Sequence, residues 1–435
     1  MALLGNLTGS SPLYFNKDPD FYNGVATTSF RNIPGATLTL AQGTPTSATT
    51  FCMGGWFKRQ NNAFYSNIFS AELGGSGVAA GIFAVSDDDT MFFYDKQSSD
   101  TFRLITDREF RDTSAWYHVW MRVELGNSTS GDRVQLWVNG VRETSFSTET
   151  YPTASVCKAW NVSGKTLYMG HSNASYGGNV YMSDWYFIDG ASVSPVDTVG
   201  EFKNGVFIPK EYSPTFGDNG FHLKFDQVGV GTASTSTIGA DTSGNTNHFT
   251  SSGIVASDCA MPDSPENNFC TLNPLFKEYA TSSSLSEGNL KYTMGTNGVT
   301  TSAYGSMAVN QNQGGKWYAE VRIDDYDTGS MWVGVFRNLG LSSKGNLNTG
   351  VRFSGYAYKT DGNATTTGNN GSSYGNSYAT NNVIGIALDL DNDAIYFYKD
   401  GTIQNSGTAA FTSITTNRGA YNSTLVGDGN YIFGV

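Results

Sequence analysis

At 435 residues the chain is long for one domain, and charged residues make up 15% of it against a usual share of about 25%, so two or three domains with neutral, polar surfaces are expected. The formal net charge is −12 and the pI about 4.7, and Lys and Arg form no basic stripe, which argues against a nucleic-acid partner and against attraction to anionic membranes. With 51 glycines, 14% aromatics and no sustained helical period, long helices are excluded too and the chain reads as all-β.

The opening "MALLGNLTGSSPLYFNKDPDFYNG" has one short apolar patch and no basic flank. It reads as an irregular arm over 1–20, neither a secretory leader nor a membrane span. Strand-like runs then recur over 21–225: "TTFCMGGWFKRQ" (49–60), "GIFAVSDDDTMFFYD" (81–95), "WYHVWMRVEL" (116–125), "RVQLWVNGVRE" (133–143), "KTLYMGH" (165–171), "VYMSDWYFIDG" (180–190) and "FHLKF" (221–225). Each alternates apolar with polar residues or is apolar throughout, and closes on Gly, Asn or Asp, the pattern of a packed antiparallel sandwich.

Residues 226–285 change character. "GVGTASTSTIGADTSGNTNHFTSSGIVASD" is rich in Gly, Ser and Thr, and "MPDSPENNFCTLNPLF" carries three prolines. This stretch is expected to be an ordered connector, docked through Phe249, Ile254, Phe269, Leu272 and Leu275. Over 286–435 strands resume with "NLKYTM", "GKWYAEVRID", "SMWVGVF", "FSGYAYK", "VIGIALDL", "AIYFYKDG" and "GNYIFGV". The Asn-Gly of 139–140 and the Asp-Gly of 400–401 supply the positive-φ pair that a tight hairpin needs.

Cys52, Cys157, Cys259 and Cys270 lack zinc-knuckle spacing and are too sparse for a disulfide scaffold. Free thiols in a protein assembled in a reducing cytoplasm are expected, with a Cys259–Cys270 bridge as the alternative. None of the hydrolase, Walker A or dinucleotide motifs occurs, and no enzymatic activity is expected. His118, inside "WYHVWMRV", reads as a strand residue.

The acids of "ALDLDNDAIYFYKDG" (387–401) could be a calcium loop, a catalytic pair or a turn. Counted as a calcium loop from Asp389, the glycine required for its sharp bend is replaced by Ala394, and both flanks are strand-like. They are therefore expected to cap the tip of a hairpin. Asp87, Asp88 and Asp89 also split two strands, although three adjacent carboxylates at a sandwich rim leave a structural Ca2+ open; no other cofactor is expected. The stretch 355–382 interleaves Tyr356, Tyr358, Tyr374 and Tyr378 with Asn, Ser, Thr and Gly. That composition suits either a binding loop or a low-complexity excursion over the domain end with Tyr356 and Tyr358 tucked into a strand. Asp324, Asp325 and Asp327, in "DDYDTGS", are candidate neighbours.

"GKWYAEV" and "IGIALDLDNDAIYFYKDG" together resemble the SPRY domain, and the runs of the first half resemble laminin-G-like or pentraxin-like sandwiches. The resemblance implies two concanavalin A-like antiparallel β-sandwiches of jelly-roll type. The linking text, "VGEFKNGVFIPKEYSPTFGDNGFHLKF" through "DSPENNFCTLNPL", resembles a combination found in bacteriophage proteins, many from marine and cyanobacterial phages. It implies a virion protein assembled in the host cytoplasm, either a tail-fibre or receptor-binding adhesin contacting host glycans or proteins, or a capsid decoration, cement or head-fibre protein contacting other virion proteins. A homo-oligomer is left open.

Overall fold

The computed structural model describes residues 2–3, 22–60, 65–73, 80–153, 157–170, 178–196, 198–278, 283–294, 301–310, 314–326, 330–337, 355–366, 371–414 and 430–435. It divides into two compact units whose boundary falls between Asn268 and Phe269. The expected arm lies outside the described residues, apart from Ala2–Leu3, which pairs with Lys316–Arg322.

Among the described residues, the N-terminal unit packs a seven-stranded sheet on an eight-stranded one. Thr50–Arg59 and Val180–Asp189 lie side by side in the seven-stranded sheet, with Tyr117–Glu124 beyond the first and Phe221–Leu223 beyond the second. Alternation in "FCMGGWFKR" sends Phe51, Met53 and Phe57 between the sheets, where they meet Phe69, Phe83, Phe93, Trp160 and Trp185. Burying each such side chain stabilises the unit by about 1.5–3 kcal/mol.

The opposite face of this sheet is covered as well, so Thr50–Arg59 is buried at nearly every position. Residues 198–216 run across it, placing Val199 and Phe216 against Cys52, Trp120, Tyr186 and Ile188, and Phe207 against Trp56. Gly54 makes room for this arrangement: a Cβ there would come within 2.8 Å of the Trp120 ring.

The stretch expected as a connector is, as far as Asn268, part of this sandwich. Thr250–Ser252 forms a ladder with Thr37–Ala41 at the edge of the eight-stranded sheet, and Phe249, Ile254 and Cys259 enter the core. Two buried ion pairs hold the rest: Arg31 with Asp258 at 2.7 Å and Lys58 with Asp263 at 2.9 Å. Glu266 accepts from the backbone N–H groups of Gly24, Val25 and Ala26 at 2.9, 2.8 and 3.0 Å. Its Ser/Thr-rich composition belongs to an edge strand and its turns, whose polar side chains satisfy backbone groups as Ser251 does for the Gly231 N–H. The four cysteines are free and buried, so the Cys259–Cys270 bridge is not formed.

The C-terminal unit is the second sandwich. One sheet carries Lys316–Arg322, Val383–Asp389 and Ala394–Lys399 as neighbours; the other carries Ser302–Asn310, Asn430–Gly434, Trp332–Arg337, Gly355–Lys359 and Asn363–Thr366. Trp317, Ile384, Ile386, Leu388, Ile395 and Phe397 from the first meet Val333, Val335, Tyr358, Tyr431 and Phe433 from the second. The described residues are thus all-β, built of antiparallel sandwiches.

Candidate functional site

The acids at 389–400 cap turns. Asp389 accepts from the backbone and side-chain amides of Asn392 at 3.0 and 2.8 Å, Asp391 from the Gly315 N–H at 2.6 Å, and Asp400 from the Val383 N–H at 2.8 Å. Burial raises the Asp389 pKa, but the Asn392 hydrogen bonds and Lys316 outweigh it and hold the carboxyl below its ordinary range. A general acid requires the reverse.

The Asp87–Asp89 carboxylates diverge. Asp88 accepts from Ser86 and from the Thr90 hydroxyl, the latter at 2.7 Å, and these bonds lower its pKa. Asp89 accepts from Arg59 at 2.5 Å and from Arg111 at 3.4 Å. Arg59 is buried and occupies the place a cation would take beside Asp89. Among the described residues, no group of three His, Cys, Asp or Glu side chains is placed to hold a metal ion.

The four candidate tyrosines are gathered in space, but not at the surface. Tyr356, Tyr358, Tyr374 and Tyr378 are all buried in the core of the C-terminal unit. The rings of Tyr374 and Tyr378 lie 5.8 and 5.3 Å from that of Tyr358. Their hydroxyls donate to main-chain oxygens: Tyr356 to Ile414, Tyr358 to Asn376, Tyr374 to Thr408, and Tyr378 to Met331 and Tyr358. Burial pushes the Tyr358 phenol up to about 12 and that of Tyr378 well above its ordinary value. The reason is geometric: rings large enough to fill the sandwich end carry polar tips that staple the loop from below. They are pegs for the loop rather than its contact surface.

What the pegs support is exposed. Asn376, Ser377, Ala379, Thr380 and Asn381 face solvent between and beyond them. Thr380 Oγ1 accepts from the Tyr326 N–H at 2.8 Å, joining this loop to the one that carries Asp324 and Asp325. Both acids are exposed, Asp324 being paired with Lys291 and Arg322 at 3.1 Å each; Asp327 lies outside the described residues. Next in the chain to Met331, whose carbonyl takes the Tyr378 hydroxyl, Trp332 is half-buried, its Nε1 donating to Ser330 at 2.8 Å and its ring 5.8 Å from the Lys359 ammonium. Tyr326 and Trp332 were not singled out from sequence. The signal was present in "SMWVGVF", where Val333 and Val335 point inward and alternation turns Trp332 outward.

His118 is buried among Trp56, Trp120 and Phe207, and burial takes its pKa down to about 3. Burial pushes the Cys52 and Cys259 thiols up to about 12 and about 11, which removes them as nucleophiles.

Several solved structures are similar to parts of this chain. A native heptameric SAP-like pentraxin from Limulus polyphemus is 14% identical, with 43% of this chain and 94% of that one covered and a TM-score of 0.30. Mouse laminin alpha1 chain domains LG4-5 are 12% identical, with 95% and 83% covered and a TM-score of 0.29. The Ruminococcus gnavus IT-sialidase CBM40 bound to alpha2,3 sialyllactose is 11% identical, with 36% and 91% covered and a TM-score of 0.24. No curated protein matches the chain. The SPRY domain family matches residues 316–423, so the C-terminal sandwich is SPRY-like over the stretch that holds the pinned loop and its exposed rim.

Proposed function

We propose that the chain is a non-enzymatic binding component of a phage virion, a tail-fibre or receptor-binding subunit that presents the rim around Trp332 to a glycan or protein on the host surface. The observation that carries this reading is a loop fixed from beneath by the Tyr374 and Tyr378 hydroxyls while Ser377, Thr380 and Trp332 remain open above. A loop ordered in advance loses little entropy on binding. A half-exposed indole among hydroxyl and amide groups suits stacking on a sugar face or packing on a protein. The virion setting rests on the resemblance of the linking text to phage proteins. In the test, Trp332→Ala combined with Tyr326→Ala should weaken binding of the purified protein to host cells at least ~10-fold, the equivalent of about 1.4 kcal/mol. Undiminished binding would sink the assignment of the rim.

A second reading is favoured by a different surface. Val141, Phe202 and Val206 are 56%, 48% and 50% exposed, and a Cβ on Gly140 would lie 3.0 Å from Phe202, which places this apolar hairpin beside the Asn139–Gly140 turn. Contacts there with other virion proteins would make the chain a decoration or cement protein. Virions that lose stability without it, together with no host-cell binding, support that role; labelled-antibody imaging separates tail from capsid.

A further inference from the structure

On the outer face of the seven-stranded sheet, Lys58, Tyr181 and Arg31 are cross-strand neighbours on three adjacent strands. Arg31 has Asp258 as its carboxylate, and Lys58 has Asp263. Lys58 differs in having an amide within reach. Its Nζ lies 2.8 Å from Oδ1 of Asn268 as well as 2.9 Å from Oδ2 of Asp263. The amide is oriented, because Asn268 Nδ2 donates to the Ser114 carbonyl at 2.7 Å and leaves Oδ1 toward the lysine. A C=O bond is about 1.2 Å long, so Asn268 Cγ is within about 4 Å of Nζ. Trp116 Nε1 donates to Asp263 Oδ1 at 3.0 Å, which keeps Oδ2 on the lysine. The Lys58 side chain is fully buried and that of Asp263 is 8% exposed.

We propose that Lys58 and Asn268 are joined by an intramolecular amide bond, which the folded chain makes itself with Asp263 as proton carrier. The reaction starts with transfer of the ammonium proton to Asp263 Oδ2, 2.9 Å from Nζ, which leaves the amine with a lone pair. The Nζ lone pair then bonds to Cγ while the carbonyl pair moves onto Oδ1, which takes the proton from Asp263. The regenerated carboxylate removes a proton from Nζ and delivers it to Nδ2. The Cγ–Nδ2 bond breaks, ammonia leaves with the bonding pair, and the Oδ1 hydroxyl proton departs with it as ammonium. One lysine ammonium and one carboxamide become one secondary amide and one ammonium ion, with nothing oxidised or reduced. Holding the three groups together in the fold makes this ordinarily slow aminolysis effectively unimolecular. Asn268 is the last residue of the N-terminal unit, so the bond ties that end to a central strand.

The test is the intact mass of the full chain, denatured after purification, with tryptic mapping. The expected wild-type mass is below that of the sequence by one ammonia, with a branched peptide joining Lys58 to Asn268 and no cleavage after Lys58. Asn268→Ala and Asp263→Ala should keep their full mass, with folding checked by circular dichroism. Asn268→Asp should yield the same branched peptide by expelling water, which keeps the proposal testable if Asp263→Ala does not fold. Loss of ammonia without a branch points to ring closure at an Asn-Gly turn and overturns the proposal. So does a full mass in folded wild-type protein, which would leave Lys58 in an ion pair only. A branch that persists in folded Asp263→Ala removes Asp263 from the chemistry.

Discussion

The hydroxyl of Tyr378 donates to the carbonyl oxygen of Tyr358 at 2.9 Å, inside the sandwich, and so fixes the loop to the Gly355–Lys359 strand from below. Tyr378→Phe keeps the ring and removes its hydrogen bonds to the Tyr358 and Met331 carbonyls. The expected loss is about 1 kcal/mol of stability, the net worth of a buried hydrogen bond, since the Met331 carbonyl keeps its bond from the Thr360 N–H. Chemical denaturation followed by tryptophan fluorescence reads it; an unchanged midpoint would show that the hydroxyl does not hold the loop.

Trp332 should behave in the opposite way. It is half-buried at the start of its strand and lies outside the core, with its Nε1 donating to Ser330 and its ring beside Lys359. Trp332→Ala is therefore expected to shift stability by no more than about 1 kcal/mol while weakening host-cell binding. Melting curves and binding isotherms on the same preparation separate the two effects.

Asp89→Ala removes the carboxylate from Arg59 Nη1 while the guanidinium remains buried, with the Phe110 and Ser86 carbonyls and the Ser66 hydroxyl as its other acceptors. Breaking a buried pair from one side costs about 3–5 kcal/mol. Chelation of divalent cations, by contrast, should leave the melting temperature of the wild-type protein where it is. A drop on chelation would restore the loop as a metal site.

His118 sets an acid limit. Burial takes its imidazole from an ordinary 6.5 to about 3. Between those values the unfolded chain binds a proton that the folded chain refuses, so this contribution is fully present above pH ~6.5 and is lost as the pH falls toward ~3. At about 1.4 kcal/mol per unit, the whole window amounts to several kcal/mol. His118→Leu should flatten the fall in stability between pH 7 and pH 4 measured by urea denaturation. An equal slope in both proteins would place the acid sensitivity elsewhere.

Much of the fold was legible because its signals are local. The Asp-Gly at 400–401 has φ of 49° and 76°, and the Asn-Gly at 139–140 has 47° and 75°, as tight hairpins require. Alternation in "VIGIALDL" puts Ile384, Ile386 and Leu388 on one face, and in the structure that face is turned into the core. Partners distant in sequence were not legible. Lys58 and Arg31 sit in strands, and the carboxylates that allow their burial lie 205 and 227 residues downstream, in text that reads as linker. The tyrosines fail for another reason. A Tyr/Asn/Ser/Gly composition suits a binding loop and a pegged loop equally well, and only the direction of each ring distinguishes them.

The three N–H groups held by Glu266 belong to residues 24–26, while Glu266 itself lies two positions before the end of the N-terminal unit. The first and last segments of that sandwich are therefore side by side, as circular permutation requires. Tension applied between them would load one corner, the Lys58–Asn268 contact together with Glu266, before it reached the ladders of either sheet. The mechanical strength of the unit would then be set by the chemistry at one carboxylate and one lysine.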